Sequence, residues 1–334
     1  MKKGILDYLL IFLTISYFLF VQFLPADWWN QMLFPERGTV MEVTLPSGVN
    51  ASVIAEQFEK AGLVHNSRVL TRWFVKYGID RKIQPGKYFI KKGAPWEVAE
   101  QMITAKPDRK RITVIPGTEI SDLESSFDQS GDLISALMDN SNFPDEMKNY
   151  LPESSYSRST MLLPDTYQLD DKSTEMLVQI AAKEWWEKIG ISLKENNLLK
   201  EVSTLGIVAS LVEKEAAWND DRGLISGVIY NRLGKKMLLQ IDASVIFAWK
   251  QKGIDLTRVL YKHLEIDSPF NTYLHKGLPP EPICIPSYES WRATIYPEKH
   301  SFLYYVANEE GKHVFSETFD EHKRAIRKIR NSAN

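Results

Sequence analysis

The chain has 334 residues, of which 44% are hydrophobic and 25% charged, as is typical of a folded protein with room for two or three domains. Its formal net charge of -2 argues against a protein whose main task is to neutralise nucleic-acid phosphates. Cys284 is the single cysteine, so an internal disulfide is excluded. The histidines form no His-Glu-x-x-His pattern, and we expect neither a metal nor another cofactor.

The N-terminus contains a long apolar run. Lys2 and Lys3 precede residues 8–26, which carry no charge and are long enough to cross a bilayer as a helix. Trp28 and Trp29 follow this run, at the depth where indole rings prefer the membrane interface. The two lysines predict a cytoplasmic N-terminus, so the rest of the chain is expected on the outer side of the inner membrane, in the periplasm or cell exterior.

A cleaved signal peptide is the alternative to a retained anchor. Cleavage requires a small-x-small site after the apolar run, and here Leu24 stands two positions before Ala26. We therefore predict a cytoplasmic stub and transmembrane helix over residues 1–26, followed by a tether over residues 27–41.

Two segments of the outer part resemble each other. Residues 43–62 and 113–131 each read as a short strand, a Pro- and Gly-containing turn, a helix and a closing glycine. When Gly48 is aligned with Gly117, the matching pairs are Ile54 with Leu123, Phe58 with Phe127, and Gly62 with Gly131. This pattern predicts a repeated strand-turn-helix unit, although chance similarity is an alternative at this length.

Further elements divide the chain into domains. The patterns predict a helix over 67–77, a strand over 86–90 and a helix over 96–105. Together with the first repeat, they predict a small α/β module at 42–106. Several prolines and serines then indicate a second α/β segment and linker over 107–172. Residues 173–334 read as a mainly helical domain, so the fold class is predicted as α+β.

The most regular helical pattern covers residues 205–217. Glu213 and Glu215 lie two positions apart there and point in different directions. Glu215 shares its face with Val208, Leu211 and Val212, and such apolar neighbours disfavour the ionised carboxylate and raise its pKa. This is the property of a general acid, although periodicity alone favours the interpretation that both are surface glutamates of a helix.

Other polar residues stand in apolar surroundings or in a Pro- and Gly-rich loop suited to line a cleft. These residues are Asn231, Arg232, Gln240, Asp242, Asn271, Thr272 and Tyr273. Helix capping by Asp242 and turn formation by Asn271 are the structural alternatives to a role in binding.

An ordered series of motifs resembles a known family. The motifs are LLPDTY at 162–167, ASLVEKEA at 209–216, VIYNRL at 228–233, LQIDASVIFA at 239–248, SPFNTY at 268–273, GLPPEPI at 277–283 and LYYVANEEGKHVFSETFDEH at 303–322. With the anchor, they cover nearly the whole chain. The chain resembles the endolytic murein transglycosylases of the YceG-like family, also called the MltG family.

The resemblance implies functions for parts of this sequence. The second glutamate of the Glu-Lys-Glu motif, Glu215, corresponds to the catalytic glutamate. The module at 42–106 corresponds to a LysM-like domain, and residues 173–334 to a lysozyme-like catalytic domain. The substrate implied is the bond between N-acetylmuramic acid and N-acetylglucosamine in nascent peptidoglycan strands, whose cleavage terminates elongation. The implied partners are peptidoglycan synthases.

The sequence departs from the family pattern in two places. Ser159 and Thr160 stand where family members usually carry Glu-Gly, so the match to the family is weaker in the loop at 155–167. Phe270 replaces a tyrosine in the SPYNTY motif and removes one hydroxyl that could contact sugar.

The expected reaction is non-hydrolytic and gives a 1,6-anhydromuramyl end, with Glu215 acting first as acid and then as base. Gln240, Asn271 and Tyr273 are predicted to bind sugar or stabilise charge. One alternative is a muramidase, in which Asp242 supplies the second carboxylate that hydrolysis usually requires. The other is a non-catalytic wall-binding scaffold, for which Glu215→Gln would keep full activity.

Overall fold

The computed structural model describes residues 12–14, 16, 38–46, 48, 50–79, 82–127, 132–169 and 173–332. The structure divides into two compact units between Lys110 and Arg111. Most of the predicted anchor at 8–26 lies outside the described residues, although 12–14 and 16 are helical. Within the described part of the chain, no helix combines the length and the apolar composition that crossing a membrane requires.

The first unit is a small α/β module. Its elements are β1 (Val40–Leu45), α1 (Ala51–Lys60), α2 (Ser67–Tyr77), β2 (Gly86–Lys91) and α3 (Pro95–Thr104). The two strands pair antiparallel, with Val43 opposite Tyr88, and both of these side chains are buried in the core of the unit. The sequence predictions of a helix at 67–77, a strand at 86–90 and a helix at 96–105 are confirmed to within one residue.

Local chemistry explains where α1 and α2 begin and end. The side chains of Asn50 and Asn66 each accept a hydrogen bond from the third residue along, which satisfies an N–H group that the first helical turn leaves unpaired. Gly78 ends α2 with a left-handed backbone, φ 64°, a conformation that costs glycine little. These local hydrogen bonds and this backbone conformation set the bounds of α1 and α2.

The second unit is mixed but mainly helical. Its elements are β3 (Lys110–Thr113), α4 (Ile120–Glu124), α5 (Asp132–Met138), α6 (Ser155–Ser159), β4 (Thr166–Leu169), α7 (Thr174–Trp185), α8 (Ile191–Glu195), α9 (Val202–Glu215), α10 (Asn219–Gly234), α11 (Asp242–Lys250), α12 (Tyr288–Ile295), β5 (Tyr304–Ala307), β6 (His313–Ser316) and α13 (Phe319–Ser332). Strands β3 and β4 pair, as do β5 and β6. Helices with small two-stranded sheets confirm the α+β class.

The two aligned segments both form a strand, a turn and a helix. Gly48 and Gly117, on which the sequence alignment rests, have φ angles of 74° and 80°. The second helix, α4, has only five residues, compared with ten in α1. The similarity therefore holds at the turn, where a left-handed backbone favours glycine, more than along the helices.

Residues 111–172 do not form a domain separate from 173–334. Leu133, Leu162 and Leu169 are buried in one continuous core with Trp185 and Trp291. The two tryptophan rings meet edge to face with their centroids 5.3 Å apart. The prolines that indicated a linker lie in the connections between short elements of this unit, and several of the serines lie in helix α6. The structure thus has no unit boundary at 172, and its boundary after Lys110 lies four residues from the predicted end of the first module at 106.

Helix α9 is the central element of the second unit. Its residues from Leu205 to Val212 are buried, and it packs against α6, α10, α11 and α12. Gly206 permits this closeness, because a Cβ atom there would stand 2.6 Å from Oγ1 of Thr160. The predicted helix at 205–217 is confirmed, with Glu215 as its last residue. Burial of this middle stretch holds α9 within the unit.

A C-terminal hairpin lies among the helices. Strands β5 and β6 pair antiparallel, with Tyr305 opposite Phe315 and Ala307 opposite His313. Residues opposite each other, and residues two apart in one strand, share a face of the hairpin. Tyr305, His313 and Phe315 therefore share one face, and their ring centroids lie 5.2 to 6.1 Å apart.

Candidate active site

Glu215 lies where helix α9 stops. The next residue, Ala216, has an extended backbone that ends the helix. The Glu215 side chain is partly buried rather than fully exposed, and its Oε2 accepts a hydrogen bond of 2.9 Å from the hydroxyl of Tyr305. A short helix end, a hairpin and the start of α11 thus surround one carboxyl group.

Burial raises the pKa of the Glu215 carboxyl above its ordinary value, and the negative charge of Asp242 acts in the same direction. The hydrogen bond from Tyr305, the positive character of His313 and the backbone N–H of Ala243 favour ionisation but do not outweigh burial. The sequence argument from apolar neighbours predicts the same direction. A carboxyl group that keeps its proton longer than usual can act as a general acid.

Asp242 and Tyr273 form a second pair beside Glu215. Asp242 is the first residue of α11, and its Oδ1 accepts a hydrogen bond of 2.5 Å from the Tyr273 hydroxyl. Burial, followed by this bond to Asp242, raises the pKa of Tyr273, so its hydroxyl stays protonated and donates. Asp242 is exposed and Tyr273 is half-buried. The structure therefore brings Glu215, Asp242 and Tyr273 together.

Asn271 and Gln240 differ in their access to solvent. Asn271 is fully buried, and its amide nitrogen donates to the backbone oxygens of Leu264 and Ile266. Its side chain thus fixes the loop that carries Tyr273 and does not reach the surface, in agreement with the structural alternative of turn formation.

Gln240 is exposed and adopts a left-handed backbone with φ 54°, which is uncommon for a residue other than glycine. Its backbone N–H donates to the backbone oxygen of Thr272. This bond connects the start of α11 to the loop that carries Asn271 and Tyr273. Such strained positions often occur at functional sites, and the Gln240 side chain is free to contact a ligand beside Asp242.

Asn231 and Arg232 hold the backbone around the site. Asn231 donates to the oxygens of His300 and Phe302, and Arg232 donates to that of Leu303. Arg232 also donates to Leu239, the residue before Gln240. These bonds anchor the segment leading into β5, which carries Tyr305.

Glu213 has a different environment from Glu215. Its Oε2 accepts hydrogen bonds from the hydroxyls of Ser287 and Ser290, at 2.5 and 2.7 Å, and pairs with Arg222 at 3.2 Å. The side chains of Glu213 and Arg222 are only 6% and 13% exposed. Glu213 therefore links α9, α10 and α12, and its carboxylate is engaged by side chains of the protein itself.

Tyr305 contacts Glu215, but no sequence pattern singles it out. It lies within the motif at 303–322, in a domain predicted as mainly helical. Two β-type runs on either side of Gly311 are a hairpin signal, and their alternation places Tyr305 with His313 and Phe315. The contact with Glu215 spans 90 positions and has no local signature.

Three cavities of the second unit are lined by other residues. The largest, about 520 Å³, is bordered by Pro164, Lys188 and Tyr288, and another, about 440 Å³, by Arg222 and Arg292. A third is formed by residues of the β5–β6 turn and α13. Glu215 does not line any of these three, so its assignment rests on its contacts and burial. In the described part of the chain, no cluster of His, Cys, Asp and Glu could hold a metal ion.

Comparisons with known proteins identify relatives of this chain. The chain is 32% identical to the endolytic murein transglycosylase of Bacillus subtilis strain 168, over 89% of this chain and 86% of the relative. It is 28% identical to the endolytic murein transglycosylase of Streptococcus pneumoniae strain R6, over 87% of this chain but only 58% of that relative.

A solved structure and a family profile extend these matches. The crystal structure of a YceG-like protein from Listeria monocytogenes superposes with a TM-score of 0.52 at 28% identity, covering 86% of this chain and 99% of that one. The sequence profile of the YceG-like family matches residues 43–328, which include every element from α1 to β6. The chain therefore belongs to the YceG-like family.

Proposed function

We propose that this protein is a lytic transglycosylase that cuts peptidoglycan glycan strands internally, with Glu215 as its acid. The names of the B. subtilis and S. pneumoniae relatives support the reaction class. The observation that carries the assignment of Glu215 is its setting, a partly buried carboxyl with raised pKa that receives a hydroxyl hydrogen bond from Tyr305. Protonation of a leaving oxygen requires a carboxyl of this kind.

The proposed cleavage consumes no water. Glu215 gives its proton to the oxygen between N-acetylmuramic acid and N-acetylglucosamine, and the bond from the muramyl C1 to that oxygen breaks. The C6 hydroxyl of the same muramyl residue then bonds to C1 and returns a proton to the Glu215 carboxylate. The products are a 1,6-anhydromuramyl end and a free C4 hydroxyl, and Glu215 ends in its starting state.

Asp242 has two possible roles in this site. Its negative charge raises the pKa of Glu215 and would also stabilise the positive charge that grows on C1. The second candidate function, a muramidase, is favoured by this same proximity of two carboxylates. In that mechanism a water molecule, rather than the C6 hydroxyl, would complete the reaction and leave a reducing end.

The test uses the purified full-length chain and un-crosslinked glycan strands, with product ends identified by mass spectrometry. Wild type is expected to give shortened strands with anhydro ends, and Glu215→Gln is expected to lower the rate by about 10²- to 10⁴-fold. Glu195→Gln, a change at an exposed glutamate of the same unit, is the matched control and should keep the wild-type rate. Reducing ends would support the muramidase, and full activity of Glu215→Gln would refute the proposal.

The location of the enzyme and the function of the first unit are further parts of the proposal. The uncharged run at 8–26 after Lys2 and Lys3 supports an anchor in the inner membrane with the second unit outside. The first unit has its own core and supports the assignment of a LysM-like, glycan-binding module at 42–106. Peptidoglycan synthases, implied by the family resemblance, would then be partners at the membrane. Protease treatment of intact cells without an outer membrane barrier should digest the second unit, whereas protection of it would contradict this topology.

A further inference from the structure

The Tyr305 hydroxyl donates a hydrogen bond of 2.9 Å to Oε2 of Glu215. Burial and the adjacent Glu215 charge raise the pKa of Tyr305 well above its ordinary value, so this hydroxyl stays protonated over the working range of an enzyme. It therefore acts as a donor to Glu215 in both states of the carboxyl group.

We propose that Tyr305 is a positioning residue of the reaction, whose hydroxyl orients the Glu215 carboxyl and stabilises the carboxylate formed when the proton leaves. This inference rests on the proposed function of Glu215. A hydrogen bond to a carboxylate is stronger than one to a neutral carboxyl, so the Tyr305 bond strengthens as the proton moves to the leaving oxygen. An interaction that strengthens towards the transition state accelerates the chemical step.

The hairpin holds the Tyr305 ring in the required position. His313 stands on the same face, and its ring meets the Tyr305 ring edge to face with centroids 5.2 Å apart. Asp221 of α10 accepts hydrogen bonds from both the backbone N–H and Nδ1 of His313, at 3.0 and 2.8 Å. The Asp221–His313 pair thus fixes β6 to α10, and β6 in turn fixes β5 through its ladder.

Packing alone would not require the hydroxyl of Tyr305. The ring already contacts His313 and Phe315, and a phenylalanine would keep those contacts. A hydroxyl in a partly buried site must find a partner, and the partner here is the proposed acid rather than a backbone oxygen. The position of the Tyr305 hydroxyl, more than that of its ring, therefore indicates a contribution to the reaction.

Several groups around Glu215 titrate or carry charge, and all of them bear on its pH dependence. They are Tyr305 in β5, His313 in β6, Asp242 in α11, Arg232 in α10 and Tyr273 in the loop before α12. Removal of only the Tyr305 hydroxyl leaves the other four in place. Because that hydroxyl favours the ionised carboxylate, its removal raises the pKa of Glu215 further. The acid would then keep its proton to higher pH but release it less readily.

Tyr305→Phe in the full-length chain tests the proposal, with Tyr304→Phe as the matched control. Tyr304 is the neighbouring residue of β5 and faces the other side of the hairpin, where its ring lies under Arg232. Tyr305→Phe is expected to lower kcat by about 10- to 100-fold with KM unchanged. The alkaline limb of its kcat profile should move up by about one pH unit. Tyr304→Phe should keep the wild-type rate and profile.

A second replacement at position 305 tests the proposal even if Tyr305→Phe fails to fold. A ring-fluorinated tyrosine at position 305 keeps the ring and the hydroxyl but is a stronger donor, so the alkaline limb should move down. Wild-type kcat and pH profiles in both Tyr305 variants, together with an inactive Glu215→Gln, would overturn this inference and leave the proposed function intact. Full activity of Glu215→Gln would instead remove the proposed function itself.

Discussion

The two glutamates at the end of α9 have opposite surroundings. Glu213 faces α10 and α12, where Arg222, Ser287 and Ser290 all donate to its carboxylate. Glu215 faces the hairpin and the start of α11, where burial and Asp242 disfavour its charge and Tyr305 is a neutral donor. Two positions along one helix therefore separate a structural ion pair from a carboxyl group able to hold a proton. The number and charge of the donors, rather than burial alone, make the difference.

The largest expected effect comes from the same chemical change made at each glutamate. Glu213→Gln leaves Arg222 as a buried cation without its carboxylate, and should lower the free energy of unfolding by about 3 kcal/mol. Glu215→Gln breaks no ion pair and should change that free energy by less than about 1 kcal/mol. Urea denaturation monitored by tryptophan fluorescence measures both. Equal losses in the two variants would mean that the two environments do not differ as described.

A smaller loss of stability is expected from the loop beside Glu215. Asn271→Ala removes two donors to buried backbone oxygens and should lower the free energy of unfolding by about 2 kcal/mol. Asn196→Ala, which removes similar bonds at an exposed position, should cost less than about 1 kcal/mol. If Asn271 instead bound sugar directly, the variant would show wild-type stability and a raised KM.

The third prediction concerns pH. Folding raises the pKa of Glu215 above 4.5. At pH values between the unfolded and the folded pKa, the folded state therefore binds more protons than the unfolded chain. The contribution of Glu215 to stability is therefore full at pH below the unfolded pKa and is lost as pH rises through the folded pKa. The glutamine of Glu215→Gln does not titrate. The free energy of unfolding of this variant, relative to that of the wild type, should therefore increase between pH 4 and pH 8. A constant difference would contradict a raised pKa.

The smallest effect on stability is expected at Gln240. Gln240→Gly relieves a left-handed backbone but makes the unfolded chain more flexible, so the free energy of unfolding should change by less than about 1 kcal/mol. If the Gln240 side chain binds glycan, KM should rise by about 2- to 10-fold. Lys236→Gly is the matched control, since Lys236 has φ 55°. Its KM should be that of wild type, and equal KM values in both variants would remove Gln240 from the binding site.

The local parts of the fold could be predicted from the sequence. Asn50, Asn66 and Gly78 mark helix ends through bonds to their own neighbours, and the apolar spacing around Glu215 gives both the helix and the direction of the pKa change. The signals of these features lie within a few residues of each other, which is the range over which a sequence pattern is informative.

The long-range parts could not be predicted. The donor to Glu215 is 90 positions away, and whether Asn271 faces sugar or backbone depends on how its loop folds over α11. The core that residues 111–172 share with α7 and α12 likewise depends on long-range packing. Prolines and serines are frequent both in linkers and in the connections of a folded domain, so their presence does not distinguish the two. The family resemblance implies which glutamate corresponds to the catalytic one but does not indicate its hydrogen-bond partner.

Glu215 is the last residue of α9. Aligned peptide dipoles give the last turn of a helix a partial negative charge of about half an electron, and stability there favours lysine or arginine. A carboxylate in this position is repelled by the C=O groups of its own helix, whereas a protonated carboxyl is not. The backbone of α9 therefore helps to keep the proton on Glu215 before any glycan arrives, and the same glutamate placed at the start of a helix would lose this assistance.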